Sequence, residues 1–204
     1  MFEYPHDDDL LAALERGVEM MRPRTLSGQR PEAGVLVAVT DNARHPEIVL
    51  TQRAAQMNSH AGEVALPGGK RDPEDRDLLA TALREAEEEV SLPPDAVRVV
   101  GPLSQVVSKH GFLVTPYLGV IPETIRLSPS PDELDGLFRV PLRFFLEDRR
   151  HHTDRLSYKG KDIYVPSYRY EGYVIWGLTA YVIVELLNQG LGAEIPLRPR
   201  PEQS

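Results

Sequence analysis

Cysteine is absent from the chain. Disulfides, thiolate zinc sites and cysteine nucleophiles are therefore excluded, and a chain without thiols suits a reducing compartment. A basic surplus is missing too, since 23 Lys and Arg face 31 Asp and Glu for a formal charge of −8. Nucleic acids and anionic membranes want a basic footprint, so neither is an expected partner. No apolar run approaches the ~18 residues needed to span a bilayer. The opening Met1-Phe2-Glu3-Tyr4-Pro5-His6-Asp7-Asp8-Asp9 lacks a basic region followed by an apolar one, which is not the pattern of an export signal. A soluble, cytoplasmic protein is expected. Tryptophan occurs once, as Trp176 at the head of an apolar stretch, and is read as core in preference to a base-stacking platform.

What is there fits one globular domain with a full core: 204 residues, 41% hydrophobic and 26% charged, a size at which a single core is well supported. Leu10, Leu11, Leu14, Val18 and Met21 follow Asp7-Asp8-Asp9 at near-helical spacing, which predicts a peripheral helix over 8–21. Segment 22–33 reads as a connector, and Gly34-Val35-Leu36-Val37-Ala38-Val39 as a buried strand with Ile48-Val49-Leu50-Thr51 as its partner. Further strands are expected at 97–100, 103–108, 112–121 and 137–140. Asp154 to Tyr173 reads as a hairpin turning near Lys159-Gly160-Lys161, and Gly177 to Asn188 as the last helix. The domain layout is then an N-terminal helix and connector over 1–30, a main domain over 31–190 and a flexible tail over 191–204. Strands alternating with few helices predict an α/β fold with a mixed sheet covered by helices.

The periodicity of 76–90 is more specific. Leu79, Leu83, Ala86 and Val90 fall on one stripe, Glu85, Glu88 and Glu89 on an adjoining arc, and Glu87 on neither. Asp72-Pro73-Glu74-Asp75 supplies acids and a proline suited to the start of this helix, and Pro93-Pro94 stops it just after Leu92. Acids at a helix C-terminus cost about 0.3–1 kcal/mol each, and like charges four apart repel further. A cation is the economical compensation, and carboxylate-bound magnesium or manganese commonly partners a phosphate ester or anhydride.

These residues, with Gly68-Gly69 upstream, resemble the box that defines the Nudix hydrolases, G-x5-E-x7-R-E-U-x-E-E-x-G-U with U apolar. Arg84, Glu85, Ala86, Glu88, Glu89 and Leu92 match it. Gly69 to Arg84 is one residue longer than the pattern, Asp75 stands where the first Glu falls, and Ser91 replaces the last Gly. Leu50-Thr51-Gln52-Arg53-Ala54-Ala55 and His60-Ala61-Gly62-Glu63-Val64-Ala65-Leu66-Pro67-Gly68-Gly69 resemble the additional signature of the coenzyme A diphosphatase subgroup. There Ala54 replaces Ser, Asn58 stands in place of an Arg, and Leu66 replaces Phe. An Asn cannot supply the bidentate fork of an Arg to a diphosphate. Gly111-Phe112-Leu113-Val114-Thr115-Pro116, Glu133 ahead of Phe138-Arg139-Val140-Pro141-Leu142, and Ile175-Trp176-Gly177-Leu178-Thr179-Ala180 are also similar to this subgroup.

The resemblance implies an α/β/α sandwich with a mixed sheet, a Mg2+ or Mn2+ cofactor, a small-molecule nucleotide substrate, and a homodimer. It implies cleavage of coenzyme A or a derivative to 3′,5′-ADP and phosphopantetheine. Alternatives are the same reaction on ADP-ribose or a dinucleotide, or a non-catalytic nucleotide or metal sensor. Glu85, Glu88 and Glu89, with the Gly69 carbonyl, are the expected metal ligands, and Arg84 orients them through an i,i+4 pair with Glu88. Glu89 and Glu133 are the candidates for general base. Arg53, Asn58, His60, Gly68 and Gly69 are the expected substrate contacts, while His60 and His110, each near a glycine, are read as loop residues rather than catalysts. His151-His152 beside Arg149-Arg150 reads as a surface turn.

Overall fold

The computed structural model describes residues 8–58, 60–158 and 161–198. Helix α1 (Leu10–Met20) is capped by the Asp9 carboxylate, which accepts from the Ala12 amide at 2.9 Å, one of the donors a helix start leaves unpaired. Strands β1 (Glu32–Thr40), β2 (Glu47–Arg53), β3 (Val64–Ala65) and β4 (Gly68–Lys70) precede helix α2 (Leu78–Val90). Strands β5 (Arg98–Pro102), β6 (Val106–Val107), β7 (Leu113–Ile121) and β8 (Leu134–Pro141) follow, then α3 (Leu142–Leu146). Strands β9 (Arg150–Tyr158), β10 (Lys161–Tyr170) and β11 (Tyr173–Ile175) and helix α4 (Gly177–Leu191) complete the chain.

The main sheet runs β3-β2-β1-β7-β5, with β4 on β1, β6 on β7 and β8 on β2. Only β1 and β7 among the described strands pair in parallel, from Glu32↔Leu113 to Thr40↔Ile121, so the expected mixed sheet forms. The two faces of β1 explain its unbroken apolar run. Leu36 and Ala38 face α2 with Val49, Ala82, Ala86 and Val90, while Val37 and Val39 face the opposite core with Leu14, Ile48, Leu50 and Ile183 of α1, β2 and α4. A strand covered on both sides has no reason to alternate apolar with polar residues. Helices on both faces make the α/β/α arrangement, and β9, β10 and β11 form a separate antiparallel sheet beside α4.

Several expectations shift. The buried stripe of α2 is Ala82, Ala86 and Val90, with Leu79 and Leu83 only half-buried. The helix lies so close to β1 that a Cβ on Gly34 would come within 2.3 Å of the Leu78 carbonyl, and small alanines permit that approach. The helix starts after Asp77, which accepts from the Ala80 amide at 2.8 Å, so Asp75 is freed for another task. The strand expected at 103–108 is reduced to two residues. The connector is tied down: the Arg24 amide donates to Ser104 Oγ at 3.0 Å and the Leu26 amide to Gln105 Oε1 at 2.8 Å. Arg150–His152 opens β9 instead of a turn, and the buried Arg150 guanidinium is claimed by Asp148 at 2.8 Å and by the Pro196 carbonyl at 2.8 Å. The expected flexible tail is therefore anchored in part, with Ile195 also bonded to Asn188 through both its amide and its carbonyl. Lys159-Gly160, where the hairpin turn was expected, residues 199–204 of the expected tail, and residues 1–7 lie outside the described residues.

Helix α2 does not run to Leu92. Ser91 adopts φ +57°, the left-handed region, and the Leu92 amide turns back to the Ala86 carbonyl at 3.4 Å while its side chain is buried. This is the reversal that favours glycine after a helix, and Ser91 occupies it at a cost. Ser91→Gly should raise Tm by about 1–4 °C, corresponding to roughly 0.5–1 kcal/mol. Thermal unfolding of the two proteins checks it, and an unchanged or lower Tm would contradict the strain at Ser91.

Candidate active site

The last two turns of α2, strand β4, the end of β2 and the segment 128–133 meet at one end of the main sheet. Arg84 is the hub. Its Nε donates to Asp75 Oδ1 and its Nη2 to Asp75 Oδ2, both at 2.9 Å, a bidentate fork. Nη2 also reaches the Lys70 carbonyl at 3.2 Å, and Nη1 reaches Glu85 at 3.1 Å and Glu88 at 3.3 Å. Asp75 is in turn fixed by the Asp72 amide at 2.9 Å and the Thr81 hydroxyl at 2.8 Å. The Arg84 fork, outweighing burial, holds the Asp75 carboxyl far below its ordinary range. Sequence reasoning placed Asp75 at the helix start; the structure makes it the group that aims Arg84.

Beyond this fork, Gly69 lies against the Glu85 carboxyl group so closely that a Cβ on it would come within 2.5 Å. A side chain there would push the flexible end of Glu85 aside, so glycine is what lets the carboxylate lie in its present position. Glu89 is buried, its side chain 7% exposed. Among the described residues its polar approaches are the Gly68 amide at 3.4 Å and Arg53 Nη1 at 4.0 Å. Burial first, and then the Glu85 charge, push its carboxyl up to about 8, with Gly68 and Arg53 opposing and Glu133 adding to the rise. Glu85 is raised by the same desolvation, against the pull of Arg84. Glu88 points outward, its side chain 55% exposed, and Glu87 is exposed as expected.

Two backbone links bring the remaining groups in. The Ser130 amide donates to the Glu89 carbonyl at 2.8 Å, and the Ala54 amide to the Glu133 carbonyl at 2.8 Å. Half-buried Glu133 thus sits between Arg53 and the end of α2, where it acts electrostatically on Glu85 and Glu89. The Nε of Arg53 is buried and has no hydrogen-bond partner among the described residues. The structure therefore brings together Arg53, Gly68, Gly69, Arg84, Glu85, Glu89 and Glu133. Asn58 and His60 lie apart on the loop after β2, Asn58 exposed and His60 bonded through Nδ1 to Glu63 at 2.7 Å.

Among the described residues no three Asp, Glu or His side chains are gathered as a ready-made metal cage, since Arg84 draws Glu85 and Glu88 to itself. The donor set nevertheless fits a hard dication. Glu89 is a buried carboxylate with weak neutralisation near a second carboxylate, Glu85, and the Gly68-Gly69 backbone, and oxygen-rich, incompletely compensated ligands suit magnesium or manganese. Glu85, Glu89 and the Gly69 carbonyl are the groups that could hold it, with Glu88 reachable after a rotamer change. Sequence reasoning missed Glu63, Lys109 and the exposure of Trp176. Lys109 beside His110 and Gly111 was the available signal.

The family model for the NUDIX domain matches residues 30–157. A Citrobacter koseri protein named uncharacterized Nudix hydrolase NudL is 42% identical over 182 residues, covering 89% of this chain and 93% of the relative. A Photorhabdus laumondii protein of the same name is 42% identical over 167 residues, covering 82% and 89%. The solved structure of a Nudix hydrolase from M. smegmatis, RenU, is 22% identical and superposes with a TM-score of 0.48 over 58% of this chain and 74% of that one. The chain belongs to the Nudix domain family.

The raised Glu89 carboxyl makes a stability statement. A carboxyl whose folded value, about 8, lies above its ordinary 4.5 contributes stability that is fully present below 4.5 and lost as pH rises through 8. Asp75 acts oppositely, stabilising above its ordinary 3.8 and losing that contribution as pH falls below it. In the absence of divalent cations Glu89→Gln should be more stable than the parent at neutral pH, by on the order of 2–3 kcal/mol. The gap should close below about pH 4.5. Urea unfolding in a chelator across this range checks it, and a Gln variant less stable at neutral pH would mark Glu89 as a structural anchor.

Proposed function

We propose that the protein is a metal-dependent Nudix hydrolase that cleaves the diphosphate linkage of a nucleoside diphosphate derivative, with coenzyme A or a derivative as the substrate. The observation that carries the reading is buried Glu89, set beside Glu85 against Gly68-Gly69 and faced by Arg53 and Glu133. Family membership and near-full-length relatives named as Nudix hydrolases support the reaction class. The coenzyme A assignment rests on the Leu50–Arg53 and His60–Gly69 signature. Exposed Asn58, where that signature has an Arg, favours ADP-ribose as the second reading.

A diphosphate has to be neutralised before water can attack phosphorus, and Arg53, with a free buried Nε, is the guanidinium aimed at it. Mg2+ or Mn2+ would supply charge neutralisation and an acidified water here. Glu85 and Glu89 would hold the ion, with Arg84 keeping Glu85 in position and the Gly68-Gly69 turn letting backbone come close. Glu133, outside that pair, would take the proton from the attacking water. Half-exposed Glu133 can pass it on to solvent.

Coenzyme A offered with Mg2+ should yield 3′,5′-ADP and phosphopantetheine, at a higher kcat/KM than ADP-ribose under the same conditions. Chromatography of the products decides: preferential ADP-ribose cleavage transfers the assignment to the second reading, and nucleotide binding with no cleavage of either makes the chain a sensor. Glu89→Gln and Glu133→Gln should both lower kcat by about two to four orders of magnitude. Only Glu133→Gln should keep the rise in Tm that Mn2+ produces in the parent. Loss of that rise in both variants would assign Glu133 to the metal as well.

A further inference from the structure

Next to the Arg53–Glu89 site lies a second group of side chains that the hydrolytic reading leaves unused. Glu63 accepts from Lys109 Nζ through Oε1 at 2.7 Å and bonds His60 Nδ1 through Oε2 at 2.7 Å. These bonds outweigh the effect of burial and lower the Glu63 carboxyl below its ordinary value, so Glu63 stays ionised and pins two loops together. The His110 ring meets His60 edge to face at 4.6 Å, and Lys109 Nζ stands 5.7 Å from the Trp176 ring centroid. Trp176 is half-buried and packs into neither apolar core, contrary to its expected place.

The group is continuous with that site on two sides. The Arg53 amide donates to the Glu63 carbonyl at 2.9 Å and the Gly62 amide to the Arg53 carbonyl at 3.0 Å, so Glu63 is a cross-strand neighbour of the diphosphate arginine. Lys70, the residue after Gly69, holds its ammonium 5.1 Å from the Phe112 ring centroid, which brings the 108–111 turn alongside β4. Gly111 and Gly177 take φ of +83° and +61°, and a Cβ on either would meet nothing within 4 Å, so the backbone beside Lys109 and Trp176 is open.

We propose that Trp176 and Lys109 form the nucleoside subsite of this enzyme, the indole stacking on a purine base and the ammonium contacting a phosphate carried on the ribose, with Glu63 as the positioning residue. An indole face favours both a planar base and a cation, and a half-exposed Trp outside the core with a Lys already over its ring offers both. The inference rests on the hydrolase reading for its substrate and adds which half of that substrate lies here. Phosphopantetheine, flexible and without an aromatic ring, has no partner in this group.

Trp176 is the chain's sole tryptophan, so its emission, excited at the red edge where adenine does not absorb, reports on this ring alone. In metal-free protein, 3′,5′-ADP should quench it saturably, 5′-AMP should do so with roughly tenfold weaker affinity, and phosphopantetheine should leave it unchanged. Lys109→Ala should bring 3′,5′-ADP to the affinity of 5′-AMP and leave 5′-AMP unaltered. Lys109→Arg should keep the preference. Unchanged emission with 3′,5′-ADP at millimolar concentration, quenching by phosphopantetheine instead, or equal nucleotide affinities in parent and Lys109→Ala would overturn the proposal. Because the readout is binding, the subsite stands or falls on these titrations even in a chain that cleaves no coenzyme A. One that cleaves it with silent Trp176 loses the subsite and keeps the reaction.

Discussion

Crowded negative charge at the end of α2 is the constraint around which the rest of this molecule is arranged. Glu85 and Glu89 sit one turn apart where the helix dipole already disfavours anions, and Glu133 is brought against them from another segment. Two guanidinium groups oppose the three carboxylates. Arg84 is committed to Asp75, Glu88 and the Lys70 carbonyl as well as to Glu85, and Arg53 stays 4.0 Å from Glu89. The repulsion is tolerated because the helix is clamped elsewhere. Ala82, Ala86 and Val90 are fully buried, Gly34 admits the helix backbone, and Ser130 ties the Glu89 carbonyl to the 128–133 segment. Burial of roughly 25 cal/mol per Å2 of apolar surface supplies the stability that the acids consume.

That balance shows why part of the fold could be read from residues alone. The run Gly34–Val39 announced a doubly covered strand, and the acids at 85, 88 and 89 announced a face separate from the packing stripe. Both signals are periodic and local. The choice of Ala82 over Leu79 as the buried position was not recoverable, because it depends on the closeness of helix to strand at Gly34, a tertiary quantity. Asp75 was likewise read as helix-capping material from its neighbourhood, when its partner lies nine residues on. Segment 22–33 was read as a connector and 191–204 as a flexible tail. Asn188, Arg150, Ser104 and Gln105, all distant in sequence or unremarkable in type, hold them instead.

Trp176 failed the sequence reading for a related reason. An aromatic residue ahead of an apolar helix is ordinarily drawn inward, yet Gly177 at φ +61° turns the chain just after it. The helix that follows buries Thr179, Ala180, Val182 and Ile183 without it. Hydrophobicity predicted burial; backbone direction decided against it.

A net charge of −8 and an anionic substrate are compatible because the cationic groups are local. Arg53 lies 4.0 Å from Glu89, Arg84 bonds the Lys70 carbonyl, Lys70 stands over the Phe112 ring, and Lys109 is held by Glu63, all with their charge kept. The groups divide by the kind of structure that carries them. Arg84, Glu85 and Glu89 sit on a clamped helix, where displacement by even an ångström would cost a reaction much of its rate. Lys109, His110, Asn58 and His60 sit on loops joined through Glu63, and loops tolerate exchange of side chains far better than a packed helix does. The proposed chemistry therefore belongs to the element least free to change, and substrate choice to the elements most free. Asn58, exposed on such a loop, accordingly leaves the carboxylate arrangement of α2 as it is.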